Sequence, residues 1–299
     1  MFTKDRMTGT EVYTSQRNRD GSPKKVMKWE AEAEPGRWIS EVPCVIQHFR
    51  RDNCCEFHPT GFLDHEKPNV FERIVPLLPA QKRIINDLEE SYMAWLDDQP
   101  MVVDLTITQK MRIRQACLGV PTLHEWEELD EYGEKVIKQT LNFEEDCESP
   151  VTDEILDILE HLEDGEPVII YLEMQRFASV LVHKLQKAGY TAAEYSGQTV
   201  KERDSYLARF GKDIQIIVGT TASISNGTDG IQEVCSTEIV AQGHVDDTLM
   251  EQQEARTDRM GSKAQTVRYV LVDDFGYAKG QYGDQLTKRL ITNRSTRKG

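Results

Sequence analysis

The sequence predicts an α/β protein whose carboxyl-terminal half is built on a central parallel sheet. Short β-branched runs, such as Val168–Leu172 and Ile214–Val218, indicate buried strands. Helix signals separate consecutive runs from residue 151 onward. Strands that alternate with crossover helices form a parallel sheet that helices cover on both faces. Ligands of such sheets bind at the carboxyl ends of the strands, so the loops that follow the strands are candidate sites.

Each element of this half has a local signal. Gly189 follows the apolar segment 177–188 in the position of a helix C-cap glycine. Thr199-Val-Lys-Glu202 has the spacing of a capping box, and Asp247 is placed to cap a helix that continues through Arg259. The predicted strands are 168–172, 191–195, 214–218, 237–241 and 267–272, and the predicted helices are 152–162, 177–188, 199–210 and 247–259.

The rest of the chain differs in composition from this half. The first zone is polar and rich in turn signals, and the second is expected to be mostly helical, with one helix that starts at Pro79 and includes Trp95 and Leu96. The last zone is basic, which suits either a disordered solubilising tail or a phosphate-binding tail. The predicted zones are 1–43, 44–150, 151–275 and 276–299.

The overall charge limits the functions that the chain can have. The net charge of −15 over 299 residues argues against a surface that wraps nucleic acid on all sides. No apolar run approaches the eighteen or so residues of a membrane span, and the first twenty residues lack the apolar region of a secretory signal. We therefore expect a cytoplasmic protein without membrane contact.

The six cysteines are scattered, which is typical of reduced thiols in the cytosol. Cys54, Cys55 and His58 permit a zinc hypothesis. Adjacent cysteines are poor ligands for one tetrahedral ion, however, and no second C-x-x-C pair exists. We expect no metal site in this chain.

Two features at the predicted strand ends could bind phosphate. The loop 219–230 is rich in glycine and small hydroxyl residues, so its backbone N–H groups could approach a phosphate closely, although a purely structural loop has the same composition. Arg256 and Arg259 are three residues apart, which would place them on one face of the predicted helix. Two guanidiniums there suit polyphosphate recognition, or simply a charged surface helix.

The order of these features resembles the second half of superfamily 2 helicases. Gln252–Gly261 matches the Q-x-x-G-R-x-x-R-x-G pattern of helicase motif VI, with Ala255 in place of the first glycine. Gly227–Ile231 resembles motif V, and Val168–Tyr171 resembles the strand of motif IV. The segment Tyr195–Thr199 of this chain, followed by Arg203 and Phe210, is similar to the family's segment after motif IV. Any one of these matches is weak, whereas the ordered set over about 125 residues is specific.

The upstream region extends the resemblance to the Swi/Snf-like branch. His48-Phe-Arg-Arg51 resembles the H-L-R-R element between the two motor lobes, and Val75–Gln81 is similar to the V-x-L-T-P-x-Q segment that follows. The similarity covers residues 37 to 275 and is greatest to the Swi/Snf-type helicases of bacteriophages. It implies a RecA-like helicase C-terminal lobe, preceded by an inter-lobe segment, in the cytoplasm (the host cytoplasm if a phage encodes the chain).

The resemblance also assigns roles to individual residues. Arg256 and Arg259 would contact the triphosphate of ATP, and Gln252 would position them or the attacking water. A coupling loop would consist of Gly227, Thr228, Asp229 and Gly230. The residues near the tracked DNA strand would be Ser196, Gly197, Gln198, Thr199, Arg203, Thr220 and Thr221.

The chain lacks the motifs that would complete an ATP site. No G-x-x-x-x-G-K-[ST] sequence is present, and Val270–Asp274, which looks like a Walker B strand, follows motif VI and is predicted to be structural. ATP and Mg²⁺ would therefore need a first lobe, supplied by a separate polypeptide or a missing N-terminal region. The alternative is a non-enzymatic nucleic-acid-binding or regulatory module, which Ala255 and Met260-Gly-Ser262 favour because they depart from the Swi/Snf pattern.

Overall fold

The computed structural model describes most of the chain from residue 68 to residue 275 and two strands before it. The chain divides into two compact units, residues 1–62 with 282–299, and residues 63–281. In the first unit, β1 (Met7–Arg17) and β2 (Pro23–Glu32) form an antiparallel hairpin with Val12 opposite Val26. The described residues are 7–17, 23–32, 68–96, 98–103, 106–129, 133–224, 229–244, 247–259 and 262–275. The H-L-R-R-like element, the Cys54–His58 group, Gly227, Thr228, Met260, Gly261 and the basic tail lie outside them.

The predicted inter-lobe segment contains more strand than helix where the structure describes it. Its elements are β3 (Asn69–Val75), α1 (Pro79–Ser91), β4 (Met93–Leu96), β5 (Gln99–Val102), α2 (Thr106–Ala116), β6 (Thr122–Leu129) and β7 (Lys135–Asn142). β4 pairs antiparallel with β5, and β6 with β7. A helix begins at Pro79 as predicted, but the expectation of a mostly helical segment is wrong for the described part of residues 68–149.

The end of α1 shows why the helix expectation failed. Tyr92 caps the helix in the left-handed conformation, with φ 58° and its N–H bonded to Leu88 O. The chain leaves the helix there, so Trp95 and Leu96 lie in β4 instead. Ala94 and Leu96 are buried and Trp95 is half exposed, which is the alternation of a strand. The apolar residues before and after Tyr92 fit the spacing of one long helix, and only the left-handed cap at Tyr92 separates helix from strand.

The central sheet has six parallel strands and confirms the predicted α/β class. Its remaining strands are β8 (Val168–Leu172), β9 (Ala192–Tyr195), β10 (Ile216–Thr220), β11 (Thr237–Val240) and β12 (Val267–Asp273). The strand order is β3-β12-β11-β8-β10-β9, and all five predicted strands are present. Because β3 pairs along its full length with β12, the sheet uses residues on both sides of the predicted boundary at 150.

Helices cover both faces of the sheet. They are α3 (Pro150–Glu160), α4 (Gln175–Lys187), α5 (Arg203–Arg209), α6 (Thr221–Ile224), α7 (Ile231–Val234) and α8 (Asp247–Glu254). Side chains of β8 divide strictly between two cores: Val168, Ile170 and Leu172 pack with α3 and α4, whereas Ile169 and Tyr171 pack on the other face. This alternation explains why the strand is apolar throughout.

Local signals predicted some helix ends and not others. After α4, Gly189 has φ 99°, and the N–H groups of Gly189 and Tyr190 bond to Gln186 O and Leu185 O, as in a Schellman motif. The capping box at Thr199 is wrong: α5 begins only at Arg203, and the Thr199 hydroxyl donates to Glu194 O within the preceding turn. Among the described residues, no helix is long and apolar enough to cross a membrane.

Candidate functional site

The two predicted catalytic arginines lie on a turn and not on a helix. α8 ends at Glu254, and residues 255–259 form turns and bends, so the expectation that Arg256 and Arg259 share a helix face is wrong. The Arg259 side chain is 37% exposed, and its Nη2 lies 3.0 Å from Asp229 Oδ1. This ion pair joins the predicted coupling loop to the predicted catalytic segment. We call residues 255–259 the arginine turn.

Arg256 is partly buried, and its Nε atom is completely inaccessible to solvent. Burial and the positive charge of Arg259 lower the pKa of Arg256, whereas Tyr171 and Asp229 oppose that shift. Arg256 therefore lies within the electrostatic influence of both Arg259 and Asp229. Two cations and one exposed carboxylate therefore form the charged part of the candidate site.

Ala255, which replaces a motif glycine, does not distort the turn. Among the described residues that carry a side chain, only Tyr92 and Asp98 have a positive φ. Ala255 is exposed and adopts an ordinary backbone conformation, so a glycine is not needed there for conformational reasons. The departure from the family pattern at this position therefore carries no structural penalty.

The two adjacent glutamines before the turn have different environments. Gln252, the residue that the motif spacing selects, is exposed. Gln253 is fully buried, and its Oε1 accepts a hydrogen bond of 3.0 Å from Thr221 Oγ1. The sequence does not single out Gln253, because both residues are glutamines and only the motif spacing distinguishes them. The structure thus links α8 to α6 through the bond between Gln253 and Thr221.

The predicted nucleic-acid residues cluster where β9 and β10 end. Arg203 Nη2 donates to Ser196 O (2.6 Å) and to Ser223 Oγ (3.0 Å), and Ser223 in turn accepts from Thr220 Oγ1 (2.8 Å). The Arg203 guanidinium also stacks over the Tyr195 ring at 5.0 Å. Arg203 therefore ties the loop after β9 to α6, which directly follows β10.

Exposure separates this set into two groups. Gly197 and Gln198 are exposed at the tip of the loop, and Thr199 is partly exposed. Ser196 and Thr221 are completely buried, and Thr220 is 8% exposed. The exposed members can touch a ligand directly, whereas the buried members hold the backbone of the two loops.

The Walker B-like strand has a structural environment, as the sequence predicts. Val270–Asp273 forms part of β12, inside the central sheet. Asp274 Oδ2 pairs with Lys82 Nζ at 2.7 Å, and Asp274 Oδ1 accepts from the backbone N–H of Leu77 at 2.9 Å. These bonds fix α1 against the end of β12. Within the part of the chain that the structure describes, no group of three His, Cys, Asp or Glu side chains could hold a metal ion.

Comparison with solved structures identifies the fold. The chain is similar to the C-terminal part of the Fun30 ATPase domain, with a TM-score of 0.55 and 15% identity over 77% of this chain and 97% of that one. A Pyrococcus furiosus Hef helicase domain matches with a TM-score of 0.38 and 16% identity, over 46% of this chain and 29% of that one. No family model matches the sequence, and no curated protein matches it.

The fold matches that of a RecA-like helicase lobe. The chain has a six-stranded parallel sheet, and it is similar over almost the whole length of the Fun30 ATPase C-terminal part. Helices cover both faces of the sheet, which is the layer arrangement of α/β folds. At 15% identity the similarity concerns the fold alone, so the activity depends on the site.

Proposed function

We propose that this chain is the second motor lobe of an ATP-dependent DNA helicase or translocase of the Swi/Snf-like type, of the kind that bacteriophages encode. The observation that carries the proposal is the arginine turn. Arg256 and Arg259 lie on this one turn, and Arg259 pairs with Asp229, on a lobe of helicase fold. Paired guanidiniums suit the charge of a triphosphate, and one of them can stabilise the transferring γ-phosphoryl group.

The ATP site is shared with a first lobe in this proposal. That lobe, on another polypeptide or on a further part of this protein, supplies the phosphate-binding loop and the ligands of Mg²⁺, which neutralises charge on the phosphates. This chain contributes Arg256 and Arg259 to the triphosphate, and Gln252, which is exposed next to them, reaches the water or the phosphate. Closure of the two lobes on ATP and their opening after hydrolysis move the protein along DNA.

The DNA-facing surface of the proposal is the tip of the loop after β9. Gly197 and Gln198 are exposed there, while Ser196, Arg203 and Thr221 hold the loops from inside. The bond from Thr221 to Gln253 connects this region with α8, directly before the arginine turn. This connection supports a coupling between the nucleotide state and the grip on DNA.

ATP hydrolysis by a reconstituted pair tests the proposal. The second component is a polypeptide with a phosphate-binding loop and an acidic box, sought first in the reading frames next to the gene for this chain. We expect DNA-stimulated hydrolysis by the pair and none by this chain alone. Robust hydrolysis by this chain alone would contradict the proposal. DNA binding without hydrolysis by any such pair would favour the non-enzymatic module.

The arginine assignment has its own variant and control. In the active pair, Arg259→Ala should lower turnover by about 10³- to 10⁵-fold, the usual loss for an arginine finger. Arg209→Ala is the matched control, because Arg209 is also half exposed and ion-paired, to Asp213 at 2.7 Å, but lies on α5. Near-normal turnover in Arg259→Ala would remove the finger assignment, and an equal loss in the control would show that the effect is not specific.

A further inference from the structure

A buried ion pair lies beneath the arginine turn. Glu238, the second residue of β11, is fully buried, and Arg268 lies directly opposite it on β12. Arg268 Nε donates to Glu238 Oε2 at 2.6 Å. Burial raises the pKa of the Glu238 carboxyl, and the guanidinium of Arg268 opposes that shift. Burying two charges costs free energy that their attraction repays only in part, so stability alone is a poor explanation for the pair.

Both members of the pair bond to the segment that carries the arginines. The second carboxylate oxygen of Glu238 accepts a hydrogen bond from the hydroxyl of Thr257. Thr257 directly follows Arg256 in the sequence and is completely buried. Arg268 Nη2 donates to the backbone oxygen of Glu254, the last residue of α8, at 3.3 Å. The pair therefore fixes the end of the helix and the middle of the turn.

A serine fixes the far end of the same turn. The backbone N–H of Arg259 donates to Ser262 Oγ at 3.0 Å, and the N–H of Ser262 donates to Arg259 O at 3.1 Å. The Ser262 hydroxyl also lies within hydrogen-bond distance of Thr257 O. The chain is thus held at Glu254, at Thr257 and at Arg259, while the side chain of Arg259 remains partly exposed.

We infer that Glu238, Arg268 and Thr257 are positioning residues that hold the backbone of the arginine turn in the geometry needed by Arg256 and Arg259. That this geometry matters for catalysis rests on the proposed function. The fixed backbone itself is a property of this chain alone. A guanidinium that stabilises a transition state must be in place before the reaction, because reorganisation during the reaction costs rate.

Hydrogen exchange on this chain tests the inference without a partner. Thr257→Val removes the hydroxyl at nearly constant volume and leaves the Glu238–Arg268 bond in place, whereas Thr257→Ser keeps a hydroxyl. Losing a hydrogen bond to a charged group should raise amide exchange in the peptide over 255–262 by about 10- to 100-fold. We expect this increase in Thr257→Val, and a rate within about twofold of the parent in Thr257→Ser, which retains the bond.

The matched control is Thr152→Val. Thr152 is also buried and its hydroxyl also bonds to a neighbour, Ser149 Oγ at 2.9 Å, but it lies on α3 over the other face of the sheet. Exchange over 255–262 should not change in this control. Unchanged exchange in Thr257→Val would overturn the inference, as would an increase that is equally large in every segment, since that would indicate global unfolding.

The reconstituted pair then separates the inference from the proposed function. In an active pair, Thr257→Val should lower kcat by about tenfold or more with little change in the KM for ATP, because it disturbs a group used in the transition state. Thr257→Ser should recover most of that loss. If exchange increases locally but no pair hydrolyses ATP, the positioning of the turn stands and the motor proposal fails. A change in KM alone, with kcat intact, would contradict a positioning role.

Discussion

Gly219, next to the candidate site, has no room for a side chain, and it gives a prediction with a definite sign. The residue lies in β10, directly before α6, which carries Thr221 and Ser223. A methyl group at Gly219 would stand 2.0 Å from Ile224 Cδ1, 2.7 Å from Ile224 Cγ1 and 3.1 Å from Tyr195 O. Carbon atoms in contact are normally about 3.5–4.0 Å apart, so α6 or the Ile224 side chain must move.

The cost of Gly219→Ala follows from two opposed effects. Overpacking a buried site costs about 1–3 kcal/mol, whereas restricting the unfolded chain returns about 0.4–1 kcal/mol. We expect a net loss of about 1–2 kcal/mol in the free energy of unfolding. The midpoint of urea unfolding measures it, provided that the slope with denaturant does not change.

The background substitution Ile224→Ala tests the cause. It removes the two Ile224 atoms that lie too close to Gly219 and by itself costs about 2–5 kcal/mol, because Ile224 is completely buried. In this background Gly219→Ala should cost clearly less, about 1 kcal/mol or under, because only the contact of 3.1 Å with Tyr195 O remains. The same cost in both backgrounds would refute the reasoning that contact with Ile224 requires a glycine.

Two further predictions concern the interior of the sheet and the end of β12. The Tyr171 hydroxyl is completely buried and has no hydrogen-bond partner among the described residues, so Tyr171→Phe should leave stability unchanged or raise it by up to about 1 kcal/mol; a clear loss in urea unfolding would contradict this. Lys82 holds the pKa of Asp274 in the folded protein below its usual value. The pair therefore stabilises the fold at any pH above the pKa that Asp274 has in the unfolded chain, and this stabilisation is lost as the pH falls through the pKa of Asp274 in the folded protein. In Asp274→Asn the free energy of unfolding should therefore depend less on pH in that acidic range. The difference should be under about 1 kcal/mol, because the pair is partly exposed. An unaltered pH dependence would show that the ion pair does not stabilise the fold.

The strands of the central sheet could be predicted because each is a short apolar run buried on both faces. Val168–Leu172 is the clearest example, since all five side chains are buried. β3 could not be recognised in the same way. Its exposed positions include Val70, Phe71 and Ile74, and Arg73 pairs with Glu154 and Asp157 on α3. An edge strand with mixed exposure has no clear period, so only the pairing with β12 identifies it.

The hairpin β6–β7 was missed for a different reason. Its first strand contains Glu125, Glu127 and Glu128, which dominated the composition and concealed the alternation. Most of the hairpin is exposed, so the sequence carries little burial signal there. Leu141, near its end, is completely buried and is the main link of the hairpin to the core formed by α1 and α2.

The sequence points to the residues of the candidate site but not to the buried residues that hold them in place. Motif spacing selected Arg256 and Arg259, yet it assigned them to a helix that ends before them. Glu238 and Arg268 were hidden inside two predicted strands. A single charge in each of two neighbouring apolar strands was the available signal, because such charges are rarely buried unless they are paired.

The two kinds of bond at the arginine turn suggest how one segment can be fixed and still exchange ligands. Under the proposed function, the backbone is held by buried groups such as Glu238, which water cannot screen. Arg259, in contrast, is held by Asp229, whose side chain is 76% exposed. An exposed ion pair of this kind contributes only about 0.2–1 kcal/mol, so a triphosphate with several charges can replace the carboxylate at little cost. The turn therefore keeps its geometry while the guanidinium changes partner, which is the property that an arginine shared between two lobes requires.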